Sequence, residues 1–301
     1  MKLVNHIRNF LILIRWFHEL LGLFPFLILY FVIHHQLKLI GKGELLPAGK
    51  FFLLCIGVQL LMMAGFILND IMDREIDKIN KPKTHTIDRL VSFRSAGLLF
   101  ISVTLLIIIS SVYISYYVMP EWAIIASLVY VLSIGYDLYF KRMPLIGNVV
   151  MAALAGFVPL VIMFFAKEAL ALLNNQRLYV LIWCYSLLPF SVIIPRELSL
   201  DISDMEGDKA CGCKTLPILI GAQTSKLIVA AFIVLIIAVS ILVMFKYTFL
   251  TSTFCTMDVM LLYYIFRLNK AQTRTDYIRI GRFLWFAMIV GILGTTFATV
   301  C

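Results

Sequence analysis

The sequence has few charged residues, and it lacks the motifs of several common enzyme classes. Asp, Glu, Lys and Arg make up 14% of the 301 residues, whereas about a quarter is usual in soluble proteins. It contains no glycine-rich phosphate loop, no Gly-x-Ser-x-Gly and no His-Glu-x-x-His. The sequence therefore gives no support for a nucleotide-binding protein, a serine hydrolase or a zinc protease.

Cysteine and histidine are sparse, and their spacing does not indicate a metal site. Most of the six cysteines fall within apolar runs, which argues against a disulfide framework. Cys211 and Cys213 form a Cys-x-Cys pair with no His or further Cys beside it, and such a pair is weak evidence for zinc. The five histidines show no spacing typical of metal ligands.

Apolar residues dominate the chain instead. Hydrophobic residues account for 62% of the sequence, and the mean hydropathy is +0.97. A membrane-spanning helix needs about 20 predominantly apolar residues, and runs of about this length recur along the whole chain. The runs are continuously apolar instead of alternating, which disfavours a membrane β-barrel. The sequence therefore predicts an all-α membrane protein.

About nine transmembrane helices are expected, forming a single bundle around a central cavity. We treat residues 1–301 as one integral membrane domain, with acidic motifs at 69–78 and 201–209. The predicted spans are residues 11–33, 51–68, 98–118, 122–140, 149–165, 179–194, 227–245, 249–266 and 283–300.

Lys and Arg are unequally distributed between the two sides that nine spans create. Twenty of the 26 fall on the side that also holds the N-terminus. Because Lys and Arg concentrate in cytoplasmic loops, we predict a multi-pass protein of the cell membrane with its N-terminus and both acidic motifs in the cytoplasm. The net charge of +9 then reflects loops that face anionic lipid and an anionic substrate, and no nucleic-acid partner is expected.

A nine-residue acidic pattern occurs twice, 131 residues apart. Residues 70–78 and 201–209 both read Asp-Ile-x-Asp-x-Glu-x-Asp-Lys, and together they contain eight of the seventeen acidic residues. In a helix with 3.6 residues per turn, the three aspartates of the pattern lie on one face. Each copy directly follows an apolar run, so the two carboxylate stripes are predicted to face each other across the cavity.

The clustered carboxylates predict a divalent-cation site. Like charges repel one another and are costly near lipid unless a cation compensates them. Hard oxygen ligands favour Mg²⁺, which takes one or two protein carboxylates and completes its shell with water and phosphate oxygens. We therefore predict Mg²⁺ and a diphosphate between the motifs, with Asn69 as a further oxygen ligand. Simple ion pairing with nearby Lys and Arg is the alternative, and it explains a repeated pattern less well.

Basic and aromatic residues near the motifs favour a diphosphate substrate. Cationic side chains stabilise the negative charge that develops on a departing diphosphate. Tyr136 and Tyr139 are placed to surround an allylic cation, although an interfacial aromatic belt is an equally good explanation. Arg196 and Glu197 are expected to form an ion pair that orients the second motif. The basic residues at the motifs and span ends are Arg15, Lys78, Lys141, Arg142, Lys209 and Lys214.

These residues resemble the UbiA-type intramembrane prenyltransferases. The resemblance rests on Asn-Asp-x-x-Asp-x-x-x-Asp at 69–77, on residues 136–148, and on residues 196–217, which include the second aspartate motif. It covers most of the chain. It implies a nine-helix fold and the Mg²⁺-dependent transfer of a prenyl group from a prenyl diphosphate to a lipophilic or amphiphilic acceptor in the membrane.

The resemblance also implies roles for individual residues. The expected Mg²⁺ ligands are Asn69, Asp70, Asp73, Asp77, Asp201, Asp204 and Asp208. The expected catalytic residues are Asp73, Asp77, Asp204 and Asp208. The expected diphosphate contacts are Arg15, Lys78, Tyr139, Lys141, Lys209 and Lys214.

The acceptor and the fate of the prenyl cation stay open at this point. Residues 201–217 look most like members that prenylate a glycerol-phosphate lipid, while aromatic or quinone precursors and haem are alternatives. A terpene cyclase, in which the ionised chain captures its own double bond, would use the same motifs. A divalent-cation or phosphate transporter is a further class, but such proteins carry acids near the bilayer midplane, and Asp258 stands alone there.

Overall fold

The computed structural model describes residues 2–43 and 45–300, with side chains from residue 7 onward. This part of the chain is largely helical and contains no strand, only an isolated bridge between Ile87 and Val91. The helices are α1 (Lys2–Leu13), α2 (Trp16–Leu39), α3 (Ala48–Met72), α4 (Arg74–Asn80), α5 (Phe93–Tyr117), α6 (Trp122–Leu138), α7 (Ile146–Leu160), α8 (Ile162–Phe165), α9 (Lys167–Leu173), α10 (Gln176–Ala210), α11 (Leu216–Ile220), α12 (Ala222–Lys246), α13 (Thr251–Lys270) and α14 (Arg274–Val300). The predicted all-α class is confirmed.

Within the described ranges, nine helical segments are long and apolar enough to cross a membrane. They are Trp16–Leu39, Ala48–Met72, Phe93–Tyr117, Trp122–Arg142, Ile146–Phe165, Gln176–Ala210, Ala222–Lys246, Thr248–Lys270 and Arg274–Val300. Large apolar side chains such as Ile109, Leu242 and Phe245 are exposed on these helices, as expected where lipid is the solvent. The predicted number of spans is confirmed.

The first span begins at Trp16 and not at residue 11, as the apolar pattern predicted. Arg15 separates α1 from α2, and its backbone is left-handed, with φ 51° and ψ 48°. A non-glycine residue is uncommon in this region. The side chain of Arg15 bonds to α3, so tertiary contacts, which an apolar run does not reveal, accompany the break.

The sixth span is longer than the sequence predicted. The apolar run ends near residue 194, but α10 continues as one helix to Ala210 and is 35 residues long. Pro189 and Pro195 lie inside it. The second acidic motif is therefore the last part of a spanning helix and not a separate loop helix.

The chain packs as two compact units, and each acidic motif belongs to a different one. The first unit consists of Met1–Tyr139 and Val158–Asn174, and the second of Phe140–Phe157 and Asn175–Cys301. The prediction of a single domain with a central cavity stays a prediction.

In the first unit, α2 packs against α3 in antiparallel fashion. Arg15, at the start of α2, bonds to Asn69 near the end of α3. At the opposite end of the pair, Tyr30 stacks on Phe51 with the ring centroids 3.7 Å apart. The contact runs along most of both helices, and it holds the end of α3 that carries the first motif.

In the second unit, α10 packs against α12 and α14, and its side chains also reach α13. The Ser199 hydroxyl lies 2.5 Å from the Tyr264 hydroxyl, and both side chains are buried. Tyr185 donates to the carbonyl oxygen of Ile292 at 3.3 Å. These polar contacts fix α10 in the interior of the unit, so the second motif extends from a well-packed helix.

Candidate active site

The first acidic motif is not one continuous helix. Asp70 lies in the last turn of α3, Asp73 lies between α3 and α4, and Asp77 lies on α4. Asp73 has φ −86° and ψ 2°, a sparsely populated region that often occurs at functional sites. The predicted unbroken stripe is therefore wrong for this motif. All three aspartates are buried, at 5%, 8% and 8% exposure.

Arg15 binds the first residues of this motif. Its Nη2 atom donates to Asn69 Oδ1 at 2.9 Å and to Asp70 Oδ1 at 2.7 Å, and its guanidinium lies over the Phe66 ring. Asn69 also donates to Asp137 Oδ1 at 3.0 Å. Burial alone would lower the pKa of Arg15, but the nearby aspartates outweigh it and the pKa is raised. Arg15 is thus a permanent cation at a carboxylate cluster.

The end of the first motif carries a second ion pair. Lys81 Nζ lies 2.8 Å from Asp77 Oδ1. Burial raises the pKa of Asp77, and Lys81 only partly opposes this shift. Lys81 had no predicted role beyond simple ion pairing, and the structure places it directly on a predicted metal ligand.

Lys78 lies on the outside of this motif and binds two other acids. Its Nζ atom is 2.9 Å from Glu75 and 3.2 Å from Asp88, and Arg74 Nε lies 2.5 Å from the same Asp88 carboxylate. Asp88 is in the left-handed region with φ 71°. Its hydrogen bond to Arg74 lowers the pKa of Asp88. The loop after the motif thus holds two of the motif's cations.

The second acidic motif is continuous within α10, as predicted. Its three aspartates are partly exposed, in contrast to those of the first motif. Asn148 donates to Asp201 Oδ2 at 2.9 Å. Asp204 accepts hydrogen bonds from Arg274 Nε at 3.0 Å and from the Ser203 hydroxyl at 2.9 Å. An amide and a guanidinium therefore position two of the three aspartates.

The predicted ion pair between Arg196 and Glu197 is present in α10. The Arg196 guanidinium also lies over the Trp285 ring, 5.2 Å from the centroid. Both charged side chains are 19% exposed. The pair is fixed about one turn before Asp201, where it can orient the motif.

Two loops that carry predicted diphosphate contacts meet in the second unit. Lys141 belongs to the short 3-10 helix Phe140–Arg142, and the backbone N–H of Lys214 donates to the carbonyl oxygen of Arg142 at 3.0 Å. A Cβ on Gly147 would lie 2.7 Å from the carbonyl oxygen of Phe140. Only glycine fits there without displacing the backbone.

The other predicted diphosphate contacts lie on the surface of their units. Lys209 is exposed near the end of α10. Tyr139 follows α6 in the first unit and is 64% exposed. The roles of the site residues stay predictions.

Arg274 and Asn148 extend the predicted site. Arg274 starts α14, and no feature of the sequence links it to a motif 70 residues earlier. Asn148 lies in the stretch that carries the family resemblance, but it had no predicted role. A polar residue next to Gly147 in an apolar run is the signal that would have pointed to it.

The motifs suit Mg²⁺ by the chemistry of their donors. Within the described residues, no group of three or more His, Cys, Asp or Glu side chains is arranged to hold a metal ion. Mg²⁺ does not require such a cluster, since it usually takes one or two protein carboxylates together with water and phosphate oxygens. Each motif offers carboxylates of this kind, and Lys81 and Arg274 pair with one of them in each motif.

The sequence matches the model of the UbiA prenyltransferase family over residues 21–288. The digeranylgeranylglyceryl phosphate synthase of Thermococcus kodakarensis is 34% identical over 202 residues, which is 67% of this chain and 67% of the relative. The synthase of Methanobrevibacter smithii is 27% identical over 252 residues, covering 81% and 85% of the two chains.

Solved structures have the same fold. A structure of digeranylgeranylglyceryl phosphate synthase in membranes aligns with a TM-score of 0.64 at 23% identity and covers 100% of this chain and 99% of the other. A UbiA homolog from Archaeoglobus fulgidus bound to DMAPP and Mg²⁺ aligns with a TM-score of 0.61 at 16% identity, covering 95% and 99%. At these identities the likeness supports the helical fold.

Proposed function

Because the chain belongs to the UbiA prenyltransferase family, we propose that it transfers a prenyl group from a prenyl diphosphate to the hydroxyl group of a glycerol-phosphate lipid. The observation that carries the choice of acceptor is the 34% identity to digeranylgeranylglyceryl phosphate synthases over two thirds of the chain. The nine apolar segments in the described residues make it an integral membrane protein, so both substrates reach it from lipid.

The two acidic motifs serve this reaction together with Mg²⁺. The homolog from Archaeoglobus fulgidus binds DMAPP and Mg²⁺, and carboxylate oxygens are the ligands that Mg²⁺ prefers. In this chain the Mg²⁺ ligands would be Asn69, Asp70, Asp73 and Asp77 of the first unit and Asp201, Asp204 and Asp208 of the second. When bound, Mg²⁺ neutralises the diphosphate and makes it a better leaving group.

Basic side chains stabilise the departing diphosphate. The bond between the allylic carbon and the diphosphate oxygen breaks, and negative charge grows on the diphosphate. Arg15 is well suited to this role because its hydrogen bonds to Asn69 and Asp70 hold a cation at the first motif. The remaining proposed contacts are Lys78, Tyr139, Lys141, Lys209 and Lys214.

The reaction joins the allylic carbon to the acceptor oxygen. The oxygen lone pair forms the new bond, the hydroxyl proton leaves, and the diphosphate departs with the electron pair of the broken bond. Apolar helices exclude water from the carbocation, which would otherwise form a prenyl alcohol. We place the motifs and the N-terminus on the cytoplasmic side, where the loops rich in Lys and Arg belong.

The proposed function is tested with purified protein in lipid nanodiscs. The assay supplies Mg²⁺, geranylgeranyl diphosphate and one acceptor at a time from a panel of a geranylgeranylglyceryl phosphate, a hydroxybenzoate and a dihydroxynaphthoate, with a control that has no acceptor. Mass spectrometry is expected to detect an adduct only with the glycerol-phosphate lipid. An aromatic adduct would change the acceptor, and a cyclised product in the control would make the protein a cyclase.

A further inference from the structure

We propose that Glu19 is the catalytic base that takes the proton from the acceptor's hydroxyl group. The inference rests on the proposed prenyl transfer and assigns a residue that neither acidic motif contains. Glu19 lies in the first turn of α2, four residues after Arg15.

Glu19 lies on the face of α2 that packs against α3. Gln59 Nε2 donates to the backbone carbonyl oxygen of Glu19 at 3.1 Å. One turn further along α2, a Cβ on Gly22 would lie 2.5 Å from Met62 Cε. Residues three positions apart share a helix face, so Glu19 lies on the same face of α2 as Gly22.

The position of Glu19 along α2 suits the reacting carbon. Arg15 binds Asp70 at 2.7 Å and thereby marks the level of the first motif. Four residues of helix place Glu19 about 6 Å deeper into the span. The allylic carbon is bonded directly to the diphosphate, and its prenyl chain continues into the apolar region. An acceptor oxygen that attacks this carbon therefore lies between the level of the motif and the level of Glu19.

The Glu19 carboxyl group is buried without a partner. The residue is 5% exposed, and neither Oε1 nor Oε2 has a hydrogen-bond partner in the described part of the chain. Buried polar groups in proteins are nearly always paired, because an unpaired one is costly. An ionisable side chain inside a membrane span therefore indicates a functional site. The hydroxyl group of the acceptor would supply the hydrogen-bond donor that the Glu19 carboxylate lacks.

The packing beside Glu19 allows an acceptor to approach. Gly22 has no side chain, and the end of the Met62 side chain occupies the space against it. Methionine has three rotatable bonds and adapts readily to a new neighbour. A change of the Met62 rotamer would widen the contact between α2 and α3 next to Glu19.

The proton transfer completes the reaction with all atoms accounted for. The acceptor oxygen bonds to the allylic carbon, the bond from that carbon to diphosphate breaks, and the hydroxyl proton passes to a Glu19 carboxylate oxygen. A subsequent exchange with water returns the proton to solvent. General base catalysis of this kind contributes about 10²- to 10⁴-fold to rate.

The test compares an acceptor that needs a base with one that does not. Glu19→Gln keeps the size of the side chain but cannot take up a proton. We expect it to lower kcat with the hydroxyl acceptor by about 100-fold or more, with the KM for geranylgeranyl diphosphate unchanged. An acceptor analogue with a thiol in place of the hydroxyl ionises far more readily than the alcohol, since thiols such as that of cysteine have a pKa of about 8.5, and it is assayed at a pH above the pKa of the analogue. With it, Glu19→Gln is expected to retain activity within about 5-fold of wild type, since general base catalysis is then not needed.

Thermal unfolding in nanodiscs separates a catalytic role from a structural one. Glu19→Gln replaces a buried carboxylate with a neutral amide, so it is expected to leave the unfolding temperature unchanged or to raise it. The matched control is Glu121→Gln, since Glu121 belongs to the same unit and pairs with Lys167 at 3.4 Å on the surface. Glu121→Gln is expected to change neither the activity with the hydroxyl acceptor nor the activity with the thiol acceptor.

The possible outcomes are distinct. Equal losses with the hydroxyl and thiol acceptors, accompanied by a lower unfolding temperature, would make Glu19 a structural residue and overturn the inference. Wild-type activity of Glu19→Gln with the hydroxyl acceptor would also overturn it. If wild-type protein transferred no prenyl group to any acceptor, the proposed function itself would fail, and the role of Glu19 with it.

Discussion

The two acidic motifs share one sequence pattern, but they differ in backbone, in burial and in their partners. The first is interrupted at Asp73 and buried, whereas the second is a continuous, partly exposed part of α10. The first is bound by Arg15 and Lys81, and the second by Asn148 and Arg274. Identical spacing thus does not determine local structure, because residues distant in sequence supply the partners.

The largest effect is expected from removing one carboxylate from each motif. Asp73→Ala and Asp204→Ala are each expected to lower the rate of transfer by about 100- to 1000-fold, the effect typical of losing one group that stabilises the transition state. Product formation in nanodiscs measures the loss. Asp258→Ala is the control, because Asp258 accepts hydrogen bonds from Ser240 far along the chain from both motifs.

If both variants kept near wild-type activity, the assignment of the motifs to the reaction would be wrong. A loss confined to one variant would show that the repeated pattern serves chemistry in one unit and structure in the other.

The two arginines are expected to differ in their effect on stability. Arg15→Gln leaves the carboxylate of Asp70, which is 6% exposed, without its cation, whereas Arg274→Gln leaves that of Asp204, which is 26% exposed. We expect the first to cost about 2 kcal/mol, less than a fully buried pair because Arg15 is partly exposed, and the second less than about 1 kcal/mol. Thermal unfolding measures both.

Arg282→Gln provides the control for the arginine comparison, since Arg282 is an exposed residue of α14. Equal destabilisation by Arg15→Gln and Arg274→Gln would contradict the expectation that the more buried ion pair contributes more to stability.

A smaller effect is expected when the amide that binds the second motif is removed. Asn148→Leu has a similar volume but cannot donate to Asp201. We expect about a 10-fold lower kcat/KM for the prenyl diphosphate, as for the loss of one hydrogen bond to a charged group. Steady-state kinetics measure it, and restoration of the rate by Asn148→Gln would support the hydrogen bond as the cause. An unchanged kcat/KM would mean that the helix alone positions Asp201.

The smallest effect is expected at Asp88, which binds Arg74 and Lys78 of the first motif. Hydrogen bonding to Arg74 lowers the pKa of Asp88 from its usual 3.8. The ionised form therefore stabilises the fold above the usual pKa, and this stabilisation is lost as the pH falls through the lowered value. The difference in unfolding temperature between wild type and Asp88→Asn is expected to be constant from about pH 5 to 7 and to shrink as the pH falls below the usual pKa of 3.8. A difference that grows on acidification would refute this.

The sequence predicted the membrane class, the nine spans and the family correctly. Continuous apolar runs and a repeated acidic pattern are local signals, and the lipid environment makes the first of them strong. The breaks at Arg15 and Asp73 were missed because neither is a glycine or proline. The conformation of Arg15 accompanies hydrogen bonds to α3, which no local pattern encodes.

The same distinction applies to the site residues: those with a local sequence signal were predicted, and those without one were missed. The aspartates were predicted because they repeat, and Arg15 because it resembles a family position. Arg274 was missed because its hydrogen bond to Asp204 joins residues 70 positions apart, which come together only in the folded unit. Glu19 is visible in the sequence as an acid near the start of a span, but its lack of a partner is a property of the packed helices.

The length of α10 has a consequence for the lipid that the protein requires. At 1.5 Å per residue its 35 residues extend over about 50 Å, whereas the hydrocarbon core of a bilayer is about 30 Å thick. The second motif is at the end of this helix, so a thicker bilayer would draw its aspartates toward the acyl chains and a thinner one would expose them further. We expect turnover to pass through a maximum as the acyl chains of the nanodisc lipids are lengthened, because hydrophobic mismatch changes the depth of the carboxylates.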